Sequence, residues 1–438
     1  MKTHKENTIL TFLLSILVLG ISIPPRIPLP IYIPGRTFDL RLEDIIIVIL
    51  LIGWLLYFTF NLRFYKTPLS RPIIMYVAIG IVTTGIAFII TPFNVYRAFF
   101  YHLKEIEYFV IFFLVATGIR TIKGLKIMCT TLLIAGGINA LWVFIQYITG
   151  KSSQLLYITE PARVSNNLEL LDRYGVGLIG EISPFSVCIF FTLISFLAYS
   201  YYWTITSHKD KLFLIVGIVF TACSLSAGEK IGVVLLGISM MVFFLLCNKK
   251  RVIKLQQLLI LIVTLIVIVL NKITRIFPFV IRIFHIHSYM IRSDRTIRWE
   301  QLMQYGYKHF LTGVGKGSRY LVPGEVGGLE EAHNHYIKIF VESGIFGLLA
   351  FICLLITIGF MCYRVNRHSV FSVSKIISGA TLCALIGLSV AAIIQDAFKP
   401  VLINELFWVF VGLTAAAYRI EKISFRIKST ISRKIEKE

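Results

Sequence analysis

Residues 333 to 335 read His-Asn-His, and a long apolar run follows directly. An imidazole titrates near neutral pH, so either histidine can serve as a general base. The same ring can bind zinc, and His-x-His puts both rings on one face of a strand. On a helix, two residues turn through about 200°, so the two rings diverge. Helical spacing groups His333 with Tyr336, Ile337 and Phe340 and turns His335 away. A second His-x-His stands at 285–287, but no carboxylates lie at ligand spacing, and no metal site is expected. On spacing alone, a plain polar residue at a membrane surface accounts for His333 better than a general base does.

The segment before the motif is rich in cations. Between Lys272 and Arg319 there are nine Lys or Arg residues, opposed only by Asp294 and Glu300. Such a stretch suits a solvated loop, contact with anionic lipid headgroups, or an anionic ligand such as a diphosphate gripped by arginine. Within it, Ser293 or Asp294 can cap a helix whose apolar face holds Ile297, Leu302, Met303 and Phe310. Arg295 and Arg298, three apart, share a side of that helix. "LTGVGKGSRY" then reads as a glycine-rich turn; it lacks the GxxxxGK[ST] spacing of a phosphate-binding loop.

The elements that position these residues are membrane helices. The chain has 438 residues, 57% of them hydrophobic and only 15% charged, with a mean hydropathy of +0.80. Soluble domains carry about a quarter charged residues, so the reading is an all-α polytopic membrane protein. A span needs roughly 20 apolar residues. Twelve apolar runs begin near residues 8, 44, 73, 98, 127, 179, 212, 230, 256, 341, 376 and 401, the seventh and eighth being the shortest. The net charge of +21 is read as basic loops facing the cytoplasm rather than as a nucleic-acid surface. Alternate connections hold 24 of the 44 Lys and Arg residues, which places both termini inside. The loops at 150–178 and 272–335 then lie outside, and the second is expected to fold in part into helix. The first 25 residues resemble a signal peptide without a cleavage site and are read as an uncleaved first span. The seven cysteines all lie in or beside apolar runs and form no CxxC pair, so neither disulfides nor thiolate metal sites are expected. Lys104, Glu105 and Glu107 are the main charges inside the predicted spans; they are read as a local cluster satisfied by Lys104, with a proton path as the alternative.

The His-Asn motif also carries a resemblance. His333-Asn334, nine residues, Gly344, two residues and Gly347 resemble the signature of the O-antigen ligase and O-antigen polymerase superfamily. "RTIRWEQLMQYGYKHFLTGVGKGSRY" is similar to that family's arginine four before a tryptophan, here Arg295 and Trp299, followed by a glycine turn. "RYGVGLIGEISPFS" resembles its entry to a span, with Arg173, Gly175 and Pro184, although Phe185 replaces the usual asparagine. "SLSAGEKIGVVLLG" resembles its turn between two spans, with Lys230 where arginine is common. The likeness covers roughly 165–365, within a division into a five-span bundle at 1–150, a ligase-like part at 151–365 and two last spans with a basic tail at 366–438.

What the resemblance implies is a GT-C-like fold of about twelve spans, capped by a partly helical extracytoplasmic loop. It implies transfer of a glycan from undecaprenyl diphosphate to a hydroxyl of a glycan, lipid or protein acceptor outside the cytoplasmic membrane, without metal, cofactor or nucleotide sugar. His333 would be the base, Arg295, Lys230, Arg173 and Arg298 would face the diphosphate, and Asn334 would orient a substrate or cap the helix, with His335 beside them. The same motif fits a polymerase of repeat units on the same carrier. A twelve-span secondary transporter is a third reading, but it predicts paired repeats and broken helices, and neither is visible in the sequence.

Overall fold

A computed structural model describes residues 8–22, 26–33, 36–61, 67–90, 95–149, 184–205, 210–226, 230–246, 294–317, 332–398 and 400–435. They form twelve helices: α1 (Thr8–Ser22), α2 (Leu42–Asn61), α3 (Ser70–Ile90), α4 (Val95–Gly118), α5 (Ile122–Thr149), α6 (Pro184–Thr204), α7 (Asp210–Ser226), α8 (Lys230–Leu246), α9 (Asp294–Lys308), α10 (His335–His368), α11 (Ser372–Ile394) and α12 (Val401–Ile435). Eleven of the twelve apolar runs coincide with helices, and the run near 256 lies outside the described residues. Six helices are long and apolar enough to cross a membrane: Ser70–Ile90, Ile122–Ile145, Phe185–Thr204, His335–His368, Ser372–Ile394 and Val401–Phe425. Thr8–Ser22, Lys211–Leu225 and Gly232–Leu246 are apolar but shorter.

One departure from an all-helical chain is a two-stranded antiparallel hairpin, β1 (Arg26–Ile33) and β2 (Arg36–Arg41), which leads into α2. The sequence between its strands is Pro34-Gly35, a turn-forming pair. Its register is irregular between Leu29 and Tyr32, around Pro30, which has no N–H to give to a ladder.

The helices sort into two kinds. α6, α11 and α12 are buried on nearly every side, whereas α3, α5 and α10 leave apolar residues such as Ile74, Ile89, Leu141, Phe144 and Phe360 on the outside. Outward apolar surface of this extent suits lipid rather than water. α12 packs on α4 and α11, α11 on α8, α6 and α10, and α10 on α3. Several buried hydroxyls bond within their own helices: Thr192, Ser378 and Thr381 each donate to the carbonyl four residues earlier.

Candidate active site

Asn334 is what starts α10. Its backbone is extended, and its side-chain oxygen accepts from the N–H groups of Tyr336 and Ile337, both at 3.0 Å, an N-cap that satisfies two otherwise orphaned donors. The helix therefore begins at His335, and this corrects the helical grouping of His333 with Tyr336 and Phe340: His333 precedes the helix. Its φ is 46°, the one non-glycine residue with positive φ among those described. Residues held in this sparsely populated region cluster at functional sites.

The two histidines face different surroundings. His333 is half-buried, with Nδ1 3.1 Å from Oε1 of Gln395, the residue that ends α11. A carboxamide oxygen can only accept, so this contact selects the tautomer protonated at Nδ1 and leaves Nε2 as the basic nitrogen. His335 is buried between the rings of Phe351 and Phe398, each 5.4 Å away centroid to centroid. Asp396 follows Gln395 and is also buried; its Oδ1 lies in the interior with no hydrogen-bond donor among the described residues. Tyr336 ties the start of α10 to α11, its hydroxyl donating to the carbonyl of Ser389 at 2.8 Å.

Gly344 breaks α10 with φ 66° and ψ −168°. A helix broken there loses the hydrogen bonds that its carbonyls at 341 and 342 would accept, and the glycine turn supplies them. Val314 N–H donates to Val341 O and Gly315 N–H to Glu342 O, both at 2.9 Å, while Ile345 N–H turns to Phe310 O at 2.8 Å. Backbone runs so close that a Cβ at Gly344 would stand 2.2 Å from Leu311 O, and one at Gly313 2.5 Å from the carbonyl carbon of Glu342. Both positions also have positive φ, so glycine is required twice over. α9 seals the other side: Leu302, Val314, Ala332, Phe340 and Val341 form a small core, and Trp299 Nε1 donates to Ala332 O, beside His333, at 2.6 Å. The turn thus binds the kink rather than a nucleotide.

The turn also reaches into the bundle. Lys316 is buried, with Nζ paired to Glu105 of α4 and 5.0 Å over the ring of Tyr76 of α3. This splits the local cluster expected from sequence. Glu105 belongs to Lys316, 211 residues away. Lys104 meets Glu107 at 2.5 Å, Asp44 of α2 at 3.1 Å and Glu405 of α12 at 3.2 Å. Asp44, Glu107 and Glu405 each offer an oxygen within 4.8 Å of the others, a separation at which carboxylates can hold a metal ion. The Lys104 ammonium lies within pairing distance of all three, so a positive charge already occupies their midst.

Of the residues singled out in the sequence, the structure brings His333, Asn334 and His335 to one end of the bundle and sets Trp299 against them. Arg298 is half-buried on α9. Arg295 falls in the first turn of α9 and Lys230 opens α8, with both side chains outside the described residues; Arg173 lies outside them altogether. Gln395, Asp396 and Lys316 were missed, and Glu105 was assigned to Lys104 instead of Lys316. They sit on other elements or in a turn read as only a turn, and no local spacing connects them to His333.

Residues 212–352 match the family model described as O-Antigen ligase. The match spans α7, α8, α9, the glycine turn, His333 and the kink of α10, and it supports the O-antigen ligase and polymerase superfamily for this chain. The segment around Arg173 and Pro184 lies before it. No curated protein matches the chain.

Proposed function

Taking the O-antigen ligase match as the premise, we propose that this chain moves a glycan from a lipid diphosphate carrier, undecaprenyl diphosphate, to an acceptor hydroxyl. The site of reaction is the extracytoplasmic face of the cytoplasmic membrane, with both termini of the chain inside. The bond from the anomeric carbon to the carrier phosphate breaks, and a bond to the acceptor oxygen forms. His333 Nε2 takes the acceptor proton, and the carrier diphosphate leaves with the electron pair. The observation that carries this reading is the placement of His333: ahead of a capped helix, half-buried, with Nδ1 held by Gln395. That contact favours the tautomer that leaves the lone pair on Nε2, the nitrogen the reaction needs.

Developing charge on the diphosphate calls for fixed cations. Arg295, Lys230, Arg173 and Arg298 are proposed for that role, and the reaction needs no metal. Asn334 and His335 support the site, the first by fixing where α10 begins and the second by packing between Phe351 and Phe398. The division of the chain at residues 150 and 365 and the GT-C-like arrangement of about twelve spans belong to the same proposal.

The test is incubation of the purified protein with a lipid-linked oligosaccharide, alone and with candidate acceptors. A single product that forms only with acceptor supports ligation. A ladder without acceptor assigns repeat-unit polymerisation instead. Uptake into vesicles with no transfer product overturns both.

A further inference from the structure

We propose that Glu105 and Lys316 are a positioning pair, whose ion pair holds the glycine turn against α3 and α4 and so fixes the kink of α10 that sets His333. The role at His333 rests on the proposed transfer reaction; the role in holding the turn does not.

The anchorage of Lys316 is built from both helices. Its Nζ pairs with Glu105 and lies over Tyr76, where an aromatic face attracts an ammonium. Its backbone N–H donates to Thr84 Oγ1 at 3.2 Å, and that oxygen lies 3.0 Å from Nε2 of His102. Gly80 leaves room for the approach: a Cβ there would stand 3.4 Å from both Lys316 Nζ and His102 Cε1. Lys316 is 6% exposed, so its ammonium depends on this partner in place of water. One and two residues earlier, Gly315 and Val314 make the hydrogen bonds to the α10 carbonyls just before the break. A pull on Lys316 is therefore transmitted directly to the carbonyls of Glu342 and Val341. Glu342 adds negative charge to the same pocket, acting on both Tyr76 and His102.

Loss of a brace that only stabilises the bundle would lower stability and leave the turn in place until the whole bundle opens. The positioning role predicts local release. Val314 is buried in the turn, so Val314→Cys reports on its opening through labelling by a membrane-impermeant maleimide, with the chain lacking this substitution as the background. Glu105→Gln and Lys316→Met, each alone, should raise the labelling rate about tenfold, as local opening does. The double variant leaves no unpaired charge and should fall back to within about threefold of the parent. In the transfer assay the single variants should lose about tenfold or more in kcat with donor KM within about twofold, the pattern of lost positioning rather than lost binding. Should Lys316→Met fail to accumulate, Glu105→Gln and the conservative Glu105→Asp carry the same test.

Parental labelling in the folded single variants overturns the pair. Loss of transfer at parental labelling also overturns it, by making Glu105 a substrate contact. Raised labelling in a protein that yields no transfer product in its parent form leaves the pair standing and sinks the transfer reading instead.

Discussion

α4 presents two charged faces to its neighbours, and they are built on opposite plans. On one, Lys104 is the cation and the carboxylates come from three helices: Asp44 on α2, Glu107 on α4 itself and Glu405 on α12. On the other, α4 supplies the carboxylate, Glu105, and the cation arrives on a turn 211 residues away. The first face ties α2, α4 and α12 to one another. The second ties the helices to the segment that carries His333. Two residues three apart on α4 go to each face, His102 with Glu105 and Lys104 with Glu107, so helical periodicity alone separates a brace from a clasp. Charge inside an apolar bundle is thus used here for two ends: holding the bundle closed and holding a site in register.

This contrast can be broken most forcefully at Lys104. Lys104→Met strips the cation from three carboxylates and should destabilise the protein by about 3–5 kcal/mol, read as a lower midpoint of thermal unfolding in detergent; a midpoint equal to the parent's would remove the brace. Gly344→Ala attacks the clasp instead. It places a Cβ against the Leu311 carbonyl at a positive φ and should cost about 1–3 kcal/mol for the backbone strain alone. Transfer should fall sharply, and the Lys104 cluster should be untouched, so that Gly344→Ala and Lys104→Met add in stability. A non-additive double variant would show that the two faces are one unit. Asn334→Ala is the smallest step, about 1 kcal/mol for the lost N-cap, and Asn334→Asp should retain most of that cap; equal losses for the two variants would argue against capping.

Much of this architecture is visible in the sequence because the bilayer demands it. Runs of apolar residues long enough to span must be helical, since backbone groups in lipid have no water to bond, and eleven of the twelve runs are helices here. The divergence of His333 and His335 was legible too, although for another reason than helical turn: Asn334 ends the extended segment and leaves His333 outside the helix. The clasp was not legible. The glycines of "LTGVGKG" announce a turn, but nothing local says that its N–H groups will fill the gap left by Gly344 some thirty residues later. Nor does any spacing pair Glu105 with Lys316 when Lys104 stands next to it. Gln395 escapes for the same reason, being an ordinary residue at a helix end until α10 and α11 bring it to His333. The hairpin at 26–41 was passed over because its alternation is interrupted by prolines.

The central claim is that His333 is the base of a glycan transfer, and its most direct test is a single-turnover assay of His333→Ala on a lipid-linked oligosaccharide with acceptor. Removal of a general base costs about 10²–10⁴ in rate, so the account predicts a loss of that size in a protein that still inserts, unfolds at the parental midpoint and binds donor, with His335→Phe retaining most of the activity. Transfer by His333→Ala at the parental rate would contradict it.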